Sequence, residues 1–552
     1  MSLPEFSTQS FLFSTAALSG SLFPREDRYR LFANLVYPQL VKARAQLAGC
    51  YCAETGRIAL EPVLLLGVSV LQYLDRLPDR AAVEMLRYHA GWNFALNRQL
   101  GDELFHPTTL VNFRQRLIEH GLSSICFQTI LDGLVESGLI TRKGRQRLDS
   151  TQVFGLVARM SRLECVRETL RLALEELERT LDVVPQPEFW PVLRERYVEN
   201  KLDYRADSGA LAQKMTLAGE DAARLLAWVK EMGDKSPGQR EPLKLLQRVW
   251  DEQFERDPSG AMQQRQVQPP GAVHNPHDPE AQWAAKGQGK HRKEHVGYKV
   301  QVAETVAEGT VAKGEPTPSF ITAMVTQPAI GSDDAGLPLV EQEQAKMGLE
   351  KPAELYLDSA YISAERLVQA QTEGRQLIGP AQPAPVKDGR FSIERFDVSV
   401  EDRRAICPAG KSSTQCSRLE VQETGKVNYR FEFSTHCHDC SLQDQCLGKD
   451  QKHRTILVGQ YHTALQARRQ EQRTEAFKLK ARHRNAIEGT QSELVRAHGL
   501  RRARYRGLAK MQLQTYLTGA ACNVKRWVRQ AAWKLAHTAA NLSSQTQEPA
   551  AA

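Results

Sequence analysis

An α/β core, preceded by an all-helical segment and interrupted by two insertions, is the fold class predicted by this 552-residue sequence. Three observations predict it. Residues 1–140 carry apolar side chains at helical spacing. Between Val296 and Gly379, β-branched alternating runs give way in turn to helical runs, the rhythm of a sheet layered with helices. The stretches 156–295 and 380–460 break that rhythm: the first is helical and then loop-like, the second rich in cysteine. Hydrophobic residues make up 41% and charged residues 25%, a globular balance that excludes a fibrous or disordered chain. The length suits two to four folding units.

The elements follow in order. Asp27–Leu47, Glu61–Leu77 and Ala81–Leu96 read as helices, the last two separated by Leu77–Pro78. Thr109 is expected to cap a helix whose face carries Leu110, Phe113, Leu117 and Ile118. With Arg114 and Arg116 it suits a small DNA-binding module; it suits any helical bundle equally well. A strand is expected at Arg147–Phe154, then amphipathic helices at Leu163–Leu181 and Pro242–Phe254. Ser259–His295 reads as a mobile basic linker. Strands at Val296–Thr305, Phe320–Thr326, Ala353–Asp358 and Arg375–Gly379 alternate with helices at Gly336–Met347 and Ser363–Gly374. Helices are expected at Gln460–Gly499 and Leu508–His537, and the tail 538–552 is expected to be disordered. No apolar run reaches the roughly 18 residues that span a bilayer, so a cytoplasmic protein without membrane contact is expected.

The net charge is +8, unevenly spread. Arg468–Arg529 holds 16 Lys and Arg against Glu471, Glu475, Glu488 and Glu493, leaving the remainder of the chain net acidic. Basic charge gathered in one segment implies a polyanionic partner, with a solvated arginine-rich face as the alternative.

Three acids stand out. Asp149 interrupts an otherwise ordinary strand. Asp358 ends a strand in which Leu355 and Leu357 alternate with Tyr356, so its carboxylate leaves on the face opposite the leucines. Ligand sites of open α/β sheets lie off such strand ends. Glu488 sits on a helix, in one polar stripe with Lys480, Arg484, Ser492 and Arg496. Three carboxylates suit two Mg²⁺ ions, which prefer hard oxygen ligands and can assist in-line phosphoryl displacement. The alternatives are a turn-capping aspartate and a surface ion pair.

In this order the motifs resemble the DDE transposases of bacterial insertion sequences. Leu148–Asp149–Ser150–Thr151 is similar to the family's first-aspartate strand, and Gly297–Tyr298–Lys299–Val300 to its second strand. Asp358–Ser–Ala–Tyr361 fits the second-aspartate motif. Arg484–Asn–Ala–Ile–Glu488 resembles the glutamate helix, Arg501–Gly507 the basic segment after it, and Asn523 and Arg526 the final helix. A related signature, Tyr-x2-Arg-x3-Glu-x6-Lys, is kept at Arg484 and Glu488 but has Ala481 and Val495 at its outer positions. The resemblance implies an RNase H-like mixed-sheet catalytic core over 141–537, with a helical N-terminal domain over 1–140 that binds DNA. It implies that Asp149, Asp358 and Glu488 hold two Mg²⁺ or Mn²⁺ ions. Double-stranded DNA would be the partner, as terminal inverted repeats and as target, bound by a homodimer in a synaptic complex at the bacterial nucleoid. Water would cleave the element ends, and the freed 3′-hydroxyl would join target DNA. Lys299, Tyr361, Arg484, Arg496, Arg501, Arg502, Arg504 and Arg506 are the expected DNA contacts. A metal-dependent nuclease without joining and a non-catalytic DNA-binding regulator are the alternatives.

Ten cysteines in this length are no disulfide scaffold. Cys407–Pro–Ala–Gly precedes Cys437–His–Asp–Cys440 and Cys446, so Cys407, Cys437, Cys440 and Cys446 are expected to hold a structural zinc. Free thiols or a redox pair are the alternatives.

Overall fold

The computed structural model describes the chain apart from residues 4–14, 53–54, 100–101, 103, 181–185, 201–206, 233–237, 239, 288, 308–314, 317, 387–388, 424 and 546–552. Helices dominate the first 140 residues, among them α1 (Pro62–Leu74), α2 (Thr108–Glu119) and α3 (Ile125–Glu136). The expected single helix over 27–47 is instead a string of short pieces with a π-helical stretch at Phe32–Val36. Thr109 is inside α2 and not its cap; Pro107 takes the cap position.

A six-stranded mixed sheet follows. Its strands are β1 (Gln146–Phe154), β2 (Gln282–Lys286), β3 (Lys293–Thr305), β4 (Ile321–Pro328), β5 (Glu354–Tyr356) and β6 (Gln376–Ile378). β3 runs antiparallel to β1 along the whole of β1, with Asp149 opposite Val302. On its other side β3 pairs with β2 and then with β4. β1, β5 and β6 are parallel. The expected linker at 259–295 therefore contains a strand of this sheet, and the first insertion closes before Gln282. Ala284 and Ala285 alternate weakly there, so period two left no clear trace.

Antiparallel partners share a face, which sorts the side chains of β1. Val153 with Tyr298, Val300 and Val302 faces the N-terminal helices and α12 (Leu508–Gln545) in one continuous core. Leu148, Ala303, Leu355 and Leu357 face the opposite way, against α7 (Asp333–Lys346) and α8 (Ala364–Thr372). The N-terminal segment shares its core with the sheet. Within the first insertion, α4 (Arg162–Thr180), α5 (Ser208–Glu231) and α6 (Glu241–Gln253) enclose a core of their own. The cysteine-rich insertion has another, built on β7 (Gln415–Val421), β8 (Lys426–Glu432) and β9 (Thr455–Gly459).

The expected helix at 460–499 is four pieces: α9 (His462–Glu471), α10 (Glu475–Ala481), a 3-10 turn at Arg482–Ala486, and α11 (Ile487–Arg496). Thr474 breaks it, since its hydroxyl caps α10 by accepting from the Phe477 amide. The last helix runs to Gln545, so the start of the expected disordered tail is helical, and 546–552 lie outside the described residues. No helix among the described residues is long and apolar enough to cross a membrane.

Candidate active site

The face of β1 that carries Arg147 and Asp149 meets α11 at the end of the sheet. Asp149 Oδ1 accepts the amide N–H of Ser150 at 2.8 Å, and Asp358 Oδ1 accepts that of Ser359 at 2.6 Å. Each carboxylate keeps its second oxygen, and both are aimed at one atom. Arg484 Nη2 lies 3.1 Å from Asp149 Oδ2 and 3.3 Å from Asp358 Oδ2. Two aspartates 209 residues apart thus converge on a single guanidinium. Burial, the largest influence, pushes the Asp149 carboxyl above its ordinary range; the Ser150 amide and Arg484 pull it back, and Asp358 adds to the rise.

Glu488 is exposed. Its position is bracketed by two contacts from neighbouring turns: Arg484 reaches the aspartates, and Gln491 Nε2 donates to the Ser150 carbonyl at 3.1 Å. The segment that carries Glu488 therefore lies against β1 near Asp149, with Arg484 in the 3-10 turn and Gln491 in α11 making the contacts.

The site is oxygen-rich, partly open and next to a cation, a donor set suited to hard divalent ions. Among the described residues, one set of three potential ligand atoms lies mutually within 4.8 Å: Glu493, His498 and Cys522. The three acids and the four cysteines are spread more widely. Glu493 is already paired with Arg526 and Lys525, and burial holds the Cys522 thiol protonated, up at about 12, so this trio is packing around an ion pair.

The expected DNA contacts separate into two groups. Arg496, Arg501, Arg502 and Arg506 are exposed. The basic segment is stitched to the end of β1: Phe154 N–H donates to the Arg501 carbonyl, and Ala503 N–H to that of Phe154. Tyr298, holding Asp278 at 2.6 Å, and Asp278 itself anchor the Gly507 amide. The other group is less accessible. Lys299 is 8% exposed, its ammonium bound to the Gly331 carbonyl and Asp333. Tyr361 is fully buried and donates to Gln301, so it has no free ring face for a base. Arg504 lies over the Tyr73 ring and donates to the Leu77 carbonyl, pinning an N-terminal helix. All three stand in the right motif, but strand and loop direction turn them inward.

Sequence reasoning passed over Gln491, which i+7 spacing from Arg484 would have found. It also passed over Phe154, a 41% exposed ring five residues beyond Asp149, flanked by Arg501 and His295.

The four cysteines line one small cavity of about 20 Å³, room for a single small atom. Cys407 opens a tight turn in which Gly410, at φ +74°, donates its N–H back to the Cys407 carbonyl; only glycine adopts that backbone without strain. The Arg454 amide donates to Cys437 Sγ at 3.4 Å.

Comparison with known proteins finds no match among curated sequences. Two family models do match: residues 19–116 fit one described as a transposase domain, and residues 406–528 fit one described as a transposase DDE domain. The second spans the four cysteines, Arg484, Glu488, the basic segment and α12 as far as Val528. The two matches together indicate a transposase function and support a DDE transposase of an insertion-sequence type.

Proposed function

We propose that this chain cleaves and joins DNA at an acidic triad of Asp149, Asp358 and Glu488, held in an RNase H-like core. The observation that carries the reading is the convergence of both aspartates on Arg484, one helical turn before Glu488. The sheet supports it as well. Leaving aside β2, its order is β4, β3, β1, β5, β6, with β3 alone antiparallel to its neighbours. A mixed sheet in which the strand of the first acid has parallel neighbours on one side and an antiparallel one on the other supports the reading.

Divalent ions bound by the triad would assist the attacking and leaving oxygens of an in-line displacement. The chain's own part is positional and electrostatic. Asp149 and Asp358 each keep one oxygen fixed by a backbone N–H, so the remaining oxygen points at Arg484. Asp149 and Asp358 would hold a cation through those oxygens, which would leave the planar Arg484 guanidinium free to meet a phosphate. Arg496, Arg501, Arg502 and Arg506 contact the backbone of the duplex, and Phe154 offers a stacking face beside them. Water attacks phosphorus at the element end, the P–O3′ bond breaks, and a 3′-hydroxyl and a 5′-phosphate result. The 3′-oxygen then attacks a target phosphorus, so one P–O bond forms as another breaks.

The test is a cleavage and integration assay on DNA carrying the terminal inverted repeats. Asp149→Ala, Asp358→Ala and Glu488→Ala should each abolish cleavage and leave most DNA binding. Wild-type cleavage by Asp149→Ala overturns the site. Cleaved ends without joined products favour a nuclease.

For the cysteine-rich insertion we propose a structural zinc on Cys407, Cys437, Cys440 and Cys446. Their shared cavity, the turn at Cys407–Gly410 and the amide-to-sulfur hydrogen bond at Cys437 support it. Four soft thiolates suit zinc, and the thiols must draw closer to hold it.

A further inference from the structure

Directly behind the acidic site lies a largely buried ion network. Its hub is Glu304 on β3, with no exposed surface. Glu304 Oε1 accepts from Arg147 Nε at 2.5 Å. Its Oε2 accepts from the Thr490 hydroxyl at 2.6 Å and from Arg526 Nη1 at 3.1 Å. Arg526 reaches on to Thr490 Oγ1 at 2.7 Å and to Glu493 Oε2 at 2.8 Å, and also binds the Ser319 carbonyl. Arg147 donates to the His483 carbonyl at 3.0 Å and to Ser319 Oγ at 2.7 Å.

The geography matters more than the count of bonds. Arg147 is two residues before Asp149 on the same face of β1. His483 is next to Arg484. Thr490 and Glu493 are on α11, two and five residues beyond Glu488. Arg526 is on α12. One carboxylate therefore ties the strand of the first acid to both ends of the segment that carries Arg484 and Glu488. A ten-residue helix has little stability alone, and its placement must come from such contacts. Burying Glu304 is tolerable because both oxygens are satisfied and two guanidinium charges offset its own.

We propose that Glu304, acting through Thr490 and Arg526, is a positioning residue that sets the register of the Glu488 helix against β1. The inference rests on the acidic-triad reading above. Misplacing a catalytic group by an ångström can cost on the order of 10²-fold in rate. Loss of the hub should therefore reach the site without touching DNA.

The experiment uses full-length protein with Thr490→Val, Glu304→Gln and Glu488→Gln. Thr490→Val matters most, being nearly isosteric and leaving the carboxylate with both arginines. Three readouts are taken: hydrogen exchange of the 487–496 amides, Mn²⁺ affinity of the DNA-free protein by electron paramagnetic resonance, and kcat against KM for cleavage. Thr490→Val and Glu304→Gln should speed exchange in α11. They should weaken Mn²⁺ binding about ten-fold or more and lower kcat by about 10- to 100-fold, with KM for DNA unchanged. Wild-type exchange and Mn²⁺ affinity in Thr490→Val, with both cleavage and Mn²⁺ binding lost in Glu488→Gln, overturn the positioning role alone. Wild-type cleavage by Glu488→Gln overturns the triad reading and this inference with it.

Discussion

At the scale of single residues, Asp149 and Arg484 set the conditions under which the site can take up a cation. A carboxylate must lose its proton to bind metal, and burial holds the Asp149 proton more tightly than usual. The sign follows: protons compete at higher pH than for an ordinary aspartate, whose pKa is about 3.9. Mn²⁺ affinity of the DNA-free protein should therefore fall on acidification with a midpoint above that value. Arg484 competes for the same oxygens by charge, so Arg484→Ala should tighten Mn²⁺ binding while impairing DNA cleavage. Calorimetric titration over a pH series checks both; a midpoint in the ordinary range, or weaker Mn²⁺ binding in Arg484→Ala, contradicts this account. The two aspartates stood out in sequence because a lone carboxylate in an apolar strand costs free energy unless something binds it. The inward contacts of Lys299, Tyr361 and Arg504 were not legible because a motif gives a residue's neighbours along the chain, whereas its exposure depends on partners such as Asp333, Gln301 and Leu77, which are distant in sequence.

At the scale of elements, local pattern was legible where it was strong and lost where tertiary contact decides. The strands around Asp149 and Asp358 carry clear alternation and were placed within a few residues. β2 has little alternation and exists because β3 offers it a free edge. Four pieces stand where one helix was expected, since helical spacing persists through the Thr474 cap and the 3-10 turn. The cysteine-rich insertion was legible through spacing alone. Its core is small, resting on Phe396, Phe431, Phe433 and a few neighbours, so bound metal would contribute a large part of its stability. Purified protein should contain about one zinc per chain, lost in Cys437→Ser with Cys440→Ser, and the insertion should then become protease-sensitive while the sheet stays protected. Folded, zinc-free wild-type protein with four titratable thiols would sink the proposal.

At the scale of the whole molecule, cores and sequence segments do not coincide. The N-terminal helices looked like an independent unit because their helical pattern ends cleanly before β1. In the fold they close over α12 and one face of the sheet: the Phe127 and Tyr516 rings stack at 6.1 Å. On the sheet side of α12, the Asn523 amide binds both backbone groups of Ile321. Removing residues 1–140 would strip an apolar helix and an apolar sheet face of their cover. The first insertion is the opposite case. Its core is its own, and its ends meet where the Met160 amide donates to the His274 carbonyl at 3.0 Å. A short Gly/Ser bridge can span that gap without strain. Replacing residues 161–273 with such a bridge should yield soluble protein that keeps the Asp149–Arg484–Asp358 site and binds Mn²⁺. Deleting 1–140 should yield aggregated protein. Gel filtration and Mn²⁺ titration of the two variants decide the matter: a soluble, metal-binding 1–140 deletion beside an aggregated insertion deletion would mean that the division of cores described above does not govern folding.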